Sequence, residues 1–292
     1  MSGAFPTRAA LGRQPYWDWR AASNFMLGGS GAGVLVYAAV CGERLLGLLG
    51  AALVGGGLLC VWFEIGKPWR ALNAYRHSAT SWMSREATVA PLLIASAVGA
   101  AWLDSPGLRW LAAALALAYV YCQARMLNAG RGIPAWRNPR SVPLLVASGL
   151  AEGAGLGVLA GGFWGPMAPP VWPMVLLTAM LSARVLAFWS YRRALPKMAA
   201  PGRALRELSR FGRWSGAVDV LAIAAAILAM VDARIAPLVP ASALIAAGSG
   251  WVLKYSLVIR WSYEQPYAVP VTVARGGEFT PGTRSGGRAV SR

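Results

Sequence analysis

Eight apolar stretches, each of about 18 to 23 residues, divide this chain, and each is long enough to cross a hydrocarbon core as a helix. They lie near 22–41, 45–65, 87–103, 108–127, 142–162, 171–191, 214–231 and 238–260. All are rich in Ala, Leu, Gly and Val and none alternates with period two, which excludes a transmembrane barrel and leaves a helical bundle. The composition agrees, since 57% of the residues are hydrophobic and only 13% are charged. The expected fold is an all-α integral membrane protein of eight transmembrane helices in two four-helix bundles. The first bundle covers 22–128 and the second 142–261, with a loop at 129–141, an N-terminal segment at 1–21 and a tail at 262–292. The tail reads as extended and ordering across a partner. The glycines Gly28, Gly29, Gly31 and Gly33, then Gly55, Gly56 and Gly57, suit close helix packing in lipid.

The cations set the expected orientation. With alternating helices, both termini and the connections after helices two, four and six share one face. Only Arg44, Arg109 and Arg234 fall on the other face, each near an acid, Glu43, Asp104 and Asp232. The positive-inside rule makes the basic face cytoplasmic, with both termini on it, in a bacterial cytoplasmic membrane. The net charge of +17 is then a matter of topology and anionic headgroups rather than of nucleic acid. The polar first 21 residues precede a long span, so no cleaved signal peptide is expected.

The chemistry that the chain lacks narrows the function. Cys41, Cys60 and Cys122 have no C-x-x-C spacing, and the single histidine, His77, cannot form a bis-His haem site alone. The glycine runs lack the Lys-Ser/Thr of a phosphate-binding loop, and no zinc or Ser-His-Asp constellation can be assembled. No metal site is expected, nor a redox or hydrolytic centre belonging to this chain.

One stretch breaks the apolar pattern, FEIGKPWRALNAYRHSATSWMSRE at 63–86. Gly66, Lys67 and Pro68 stop the second helix just after Glu64, and Trp62 and Trp69 suit the headgroup boundary. Ser84 reads as the N-cap of the third helix, with Glu86 in its first turn. Burial at that boundary would poise both carboxylates to trade protons near neutrality. Alternatively they pair with Lys67, Arg70 or Arg85 and tie the loop down.

The run Glu64-Ile65-Gly66-Lys67-Pro68-Trp69-Arg70-Ala71-Leu72, followed by Ser81-Trp82-Met83-Ser84-Arg85-Glu86, resembles the connection between helices two and three in the integral membrane subunits of dimethyl sulfoxide reductase-type enzymes. These belong to the polysulfide reductase and nitrite reductase membrane-subunit superfamily. Ile133-Pro134-Ala135-Trp136 is similar to that family's Pro-Ala-Trp segment after helix four. The resemblance implies a membrane anchor without haem, which binds quinone (ubiquinone or menaquinone). Its implied partners are an iron–sulfur electron-transfer subunit and a molybdenum catalytic subunit on the cytoplasmic face, which hold the clusters and the molybdenum cofactor. It makes Glu64 and Glu86 the proton-exchanging residues and puts Trp69, Arg70, His77 and Arg85 around the quinone, and Gln123 and Arg125, near the end of helix four and close to the same face as Glu64, are placed to border its headgroup. Such anchors usually carry histidine where Glu64 stands and arginine where Lys67 stands. The cytoplasm-facing complexes most similar in kind are phenylacetyl-CoA:acceptor oxidoreductases and sulfite-oxidising enzymes, which reduce quinone.

Four charges fall inside later spans: Glu152, Arg184, Asp219 and Lys254. They read either as interhelical partners, with Arg184 and Lys254 able to snorkel, or as a proton or substrate route, as in a transporter or channel. Tyr121 and Trp17 suit either the quinone rim or the aromatic belt. Arg203-Ala204-Leu205-Arg206-Glu207-Leu208 is expected to form a short surface helix within a basic loop, against lipid or the electron-transfer partner.

Overall fold

The computed structural model describes residues 12–64, 73, 75–164 and 171–264. Eight helices in it are long and apolar enough to span a membrane: α1 Trp19–Cys41, α2 Arg44–Trp62, α3 Trp82–Leu103, α4 Pro106–Asn128, α5 Ser141–Trp164, α6 Val171–Ala194, α7 Gly202–Val231 and α8 Val239–Arg260. The protein is an all-helical, multi-pass membrane protein. Among the described residues there is no strand, only an isolated bridge between Arg13 and Tyr263.

The helices form two rings of four. In the first, α1 packs on α2, α2 on α3, α3 on α4 and α4 back on α1; α5 to α8 repeat the arrangement. The rings meet along α1 and α5, with α4 also touching α5 and α1 touching α8. Lipid tails are as apolar as leucine, so helices associate there by close backbone approach rather than by hydrophobic exclusion. Along the α1–α5 seam, a methyl group added to Gly33 would strike the Gly149 carbonyl, and one on Gly153 would strike the Gly33 backbone. Gly31 lies against α2, where a methyl group would come within 2.6 Å of the Gly50 carbonyl oxygen. Gly57 makes room for Asn24 on α1. Gly55 and Gly56 depart from the expectation, since a methyl group at Gly55 meets nothing within 4 Å and one at Gly56 meets only Leu27 Cδ1 at 3.7 Å.

Local chemistry starts and stops the helices. Asp18 caps α1 by accepting from Arg20 N, and Ser105 caps α4 ahead of Pro106 at the first helical position. The αL residue Gly42, with φ 79°, turns the chain between α1 and α2. Helix α3 begins earlier than expected: the Ser81 hydroxyl, not that of Ser84, caps it by accepting from Ser84 N. Glu86 therefore stands in the second turn and one turn deeper. Helix α7 differs most. The residues expected to form a separate surface helix are continuous with the span, because Ala204 and Leu208 face inward while Arg203, Arg206, Arg210 and Arg213 face out. With 30 residues, α7 is roughly 45 Å long, about 15 Å more than a hydrocarbon core.

The Pro134–Ala135–Trp136 segment is a structural wedge. It forms a short buried helix, with the Trp136 indole N–H donating to Leu257 O at 2.9 Å and the Tyr191 hydroxyl donating to Ala135 O at 3.0 Å. Trp17 packs against Trp136 with centroids 4.9 Å apart and the rings tilted by 32°, and against Phe25 of α1, which ties the N-terminal segment to both rings.

Candidate functional site

The first ring encloses a polar cluster centred on Glu86, which is 4% exposed. Glu86 Oε1 accepts from Asn24 Nδ2 at 3.2 Å and from Gln123 Nε2 at 3.1 Å. Gln123 Nε2 also donates to Asn24 O at 3.1 Å and to the Tyr119 hydroxyl at 3.2 Å, and that hydroxyl donates to Asn24 Oδ1 at 3.5 Å. Two helices, α1 and α4, thus contribute polar side chains to a single acid on a third, α3. Glu86 makes no ion pair among the described residues.

The backbone of α1 makes this possible. Residues Asn24–Gly28 form a π-turn, a feature that recurs at functional sites, and the Asn24 carbonyl is reached by the Gln123 amide. Glycine at 28 is required for space, because a methyl group there would sit 2.6 Å from Gln123 Nε2 and 2.7 Å from the Tyr119 hydroxyl.

One turn above Glu86, towards the basic face, Trp82 shares its helical side at i−4. The Arg85 guanidinium lies 4.2 Å and that of Arg125 4.9 Å from the Trp82 ring centre, and Tyr121 meets the ring edge-on at 5.7 Å. Arg85 is turned into the preceding loop, donating to Ser78 O at 2.9 Å and Ala79 O at 2.6 Å, so it does not pair with Glu86. Arg125 Nε is buried and has no acceptor among the described residues. An orphaned, buried cationic donor beside an aromatic face is a position that an acceptor oxygen can fill.

The other expected site residues stand apart from this cluster. Glu64 ends α2, its N–H donating to Val61 O at 2.9 Å, and its side chain lies near Asp18 and Arg20 rather than Glu86. Partial burial, then the Asp18 charge, raise its pKa above 4.5, against the opposing pull of Arg20. His77 sits in an exposed turn, with its carbonyl accepting from Thr80 N and Ser81 N. Trp69, Arg70 and Lys67 lie outside the described residues. Asn24 and Tyr119 were not anticipated; each is a polar group within an apolar span, and a lone amide at Asn24 was the only visible signal.

A second buried polar system lies between the rings. Lys254 Nζ donates to Glu152 Oε2 at 2.7 Å, with both side chains fully buried. Glu152 further accepts from Ser30 Oγ at 2.6 Å and Ser148 Oγ at 2.9 Å, and the Trp251 indole N–H donates to Ser30 Oγ at 2.8 Å. Alongside, Arg184 donates to Asp219 Oδ1 at 2.7 Å, to Ser249 Oγ at 2.6 Å and to Ala246 O at 2.6 Å. The four intramembrane charges are therefore interhelical partners that neutralise one another in pairs. Neither Arg184 nor Lys254 snorkels.

Among the described residues, no group of three or more His, Cys, Asp or Glu side chains is placed to hold a metal ion. Compared with known proteins, the chain matches no family model and no curated protein.

Proposed function

We propose that this protein is the membrane-anchor and quinone-binding subunit of a multi-subunit molybdenum and iron–sulfur oxidoreductase, and that it serves quinone reduction during oxidation of a cytosolic substrate such as phenylacetyl-CoA or sulfite. The observation that carries the reading is the buried Glu86 carboxyl, held by Asn24 and Gln123 one turn beneath the Trp82–Arg125 pair. The motif resemblance around Ser81–Glu86 points to the same place.

The residues present fit a quinone headgroup. A quinone supplies a lipid-soluble carrier of two electrons and two protons. Its ring has two carbonyl oxygens that need donors and an apolar face that needs a partner. Arg125 Nε supplies a donor without an acceptor of its own, and the Trp82 and Tyr121 rings supply apolar faces. Glu86 is the group that holds and releases a proton at Oε1 or Oε2, while Gln123 and Asn24 fix the carboxyl orientation from the other side. Tyr119 locks the Gln123 amide. Electrons come from the iron–sulfur partner docked on the basic face, which in this reading is cytoplasmic, as are both termini. In this reading Glu64, nearer the water, passes protons between the loop and the cytosol.

The experiment is Glu86→Gln in the assembled complex. The amide keeps the shape and one acceptor but cannot exchange a proton. The reading predicts loss of quinone reduction by about 100-fold, the usual scale for removing a proton-transfer group, with partner iron–sulfur centres still reducible. Full quinone reduction in that variant would exclude Glu86 from the role.

A further inference from the structure

The extension of α7 beyond the membrane core carries Arg203, Arg206, Arg210 and Arg213 along one helical side. Together with Glu207, Ser209 and Tyr263 they line an open hollow of about 450 Å³. Its wall is built from segments far apart in sequence. Gln14 N donates to Ser262 O at 2.9 Å and Glu264 N to Gly12 O at 3.1 Å, so the N-terminal segment and the end of α8 run side by side there. Glu207, the acid in the lining, is already engaged, because its Oε1 accepts from Arg13 at 2.7 Å and from the Tyr263 hydroxyl at 3.1 Å. None of the four arginines pairs with an acid among the described residues.

Like charges on one helical side repel, and an anion among them removes the repulsion. The volume falls in the range of small-ligand sites, about 300–1,000 Å³, but the lining is guanidinium and hydroxyl rather than apolar, which selects an oxyanion. What lies beneath the hollow selects its carrier. Trp214, immediately after Arg213, is 73% exposed, and the same side of α7 continues with exposed Val220, Leu221, Leu228 and Val231. Tryptophan at that level marks the headgroup boundary. The helix thus presents cations above the boundary and a bare apolar track directly below them, in the order of a phosphate headgroup and its acyl chains.

We propose that this hollow is a binding site for an anionic phospholipid, with Arg206, Arg210 and Arg213 on the phosphate oxygens and the acyl chains along Leu221 and Leu228. The Glu207–Arg13–Tyr263 contact holds the hollow open by keeping the lining carboxylate away from Arg206, Arg210 and Arg213. The proposal is independent of the quinone reading, because the hollow lies on the second ring and uses none of the Glu86 cluster.

The test is native mass spectrometry of the delipidated full-length protein in detergent, titrated with cardiolipin, phosphatidylglycerol, phosphatidylcholine and inorganic pyrophosphate. Wild-type protein is expected to prefer cardiolipin over phosphatidylcholine by at least about tenfold, and Arg206→Gln/Arg210→Gln/Arg213→Gln to abolish that preference, at roughly fivefold per arginine. Helical circular dichroism and Arg210→Gln alone, expected to weaken cardiolipin binding by about fivefold, separate lost binding from lost folding. Equal cardiolipin binding by wild type and the folded triple variant would overturn the proposal. So would pyrophosphate displacing cardiolipin at equal concentration, which would make the site one for soluble phosphates, or wild-type binding that does not distinguish cardiolipin from phosphatidylcholine.

Discussion

Replacing Lys254 by methionine tests how α8 is held to α5 in the second ring, at a carboxylate that Ser30 of the first ring also reaches. In the native protein Lys254 and Glu152 are both fully buried and 2.7 Å apart, with Ser30 and Ser148 donating to the same carboxylate. Methionine fills the lysine volume but leaves Glu152 with two neutral hydroxyl donors and no paired cation, since the neighbouring Arg184 is bonded to Asp219. Breaking one side of a buried pair costs about 3–5 kcal/mol, because the remaining charge stays desolvated. At about 2–4 °C per kcal/mol for chains approaching this length, the unfolding midpoint should fall by roughly 10 °C. The cost belongs to the orphaned charge and not to the lost contact. The double variant Lys254→Met/Glu152→Gln, which removes both charges, should therefore recover at least about 2 kcal/mol relative to Lys254→Met alone. Thermal unfolding of the four proteins in one detergent, followed by circular dichroism, closes the double-mutant cycle. Additive losses, with the double variant less stable than either single one, would refute the reasoning and show that the pair does not act as a unit.

The remaining predictions use the same structure. Gly33→Ala should push α1 and α5 apart and reduce folded yield sharply, whereas Gly55→Ala, with open space around it, should be silent in the same size-exclusion and circular dichroism assays. Asn24→Ala removes one donor to Glu86 and the acceptor of the Tyr119 hydroxyl, and should cost about 1–3 kcal/mol by thermal unfolding. Arg125→Gln should weaken quinone binding by at least about tenfold in a titration of the purified complex, the scale of a hydrogen bond from a charged donor. Because the pKa of Glu64 is raised by burial, its charged form opposes folding, and that penalty disappears as pH falls through the raised value. Glu64→Gln should thus exceed wild type in stability at pH 7, with the difference closing as pH approaches 4.5, measured by thermal unfolding across that range.

The eight spans were legible because lipid demands long apolar runs and allows few exceptions. Their ends were less so. The start of α7 was hidden because a third of its extension is arginine: Arg203, Arg206, Arg210 and Arg213 suppress the apolar average, while their spacing of three and four residues keeps them on one side of a helix. The cap of α3 was missed by three residues, since both Ser81 and Ser84 can cap and only the backbone geometry chooses between them. At the candidate site, Glu86, Gln123, Arg85 and Arg125 were legible as polar groups near the basic face, but the partners that orient Glu86 were not. Asn24 and Tyr119 lie 62 and 33 residues from it in sequence, and a π-turn in α1 that no local pattern announces brings Asn24 into place. Glu64 and Glu86 looked equivalent as acids at neighbouring helix ends. The fold separates them, with one beside Asp18 and Arg20 and the other sealed among amides.

The pairing of the four late charges shows a related limit. Sequence placed Glu152, Arg184, Asp219 and Lys254 inside separate spans but could not match them. Matching depends on how the second ring closes, with α8 against α5 and α7 against α6, while the seam between α1 and α5, whose close approach follows from Gly33, Gly149 and Gly153 on facing sides, brings Ser30 to Glu152. Those glycines are ordinary in an apolar helix until the facing helix is known.

The central claim, that the chain lends a quinone site to an iron–sulfur partner, is tested most directly by the composition of the complex isolated with this chain. Gentle detergent purification from its native membrane, followed by quinone extraction and metal analysis per mole of chain, should give near-stoichiometric quinone together with iron and molybdenum from co-eluting subunits. Recovery of the chain by itself, free of quinone and of metal-bearing partners, would contradict the account.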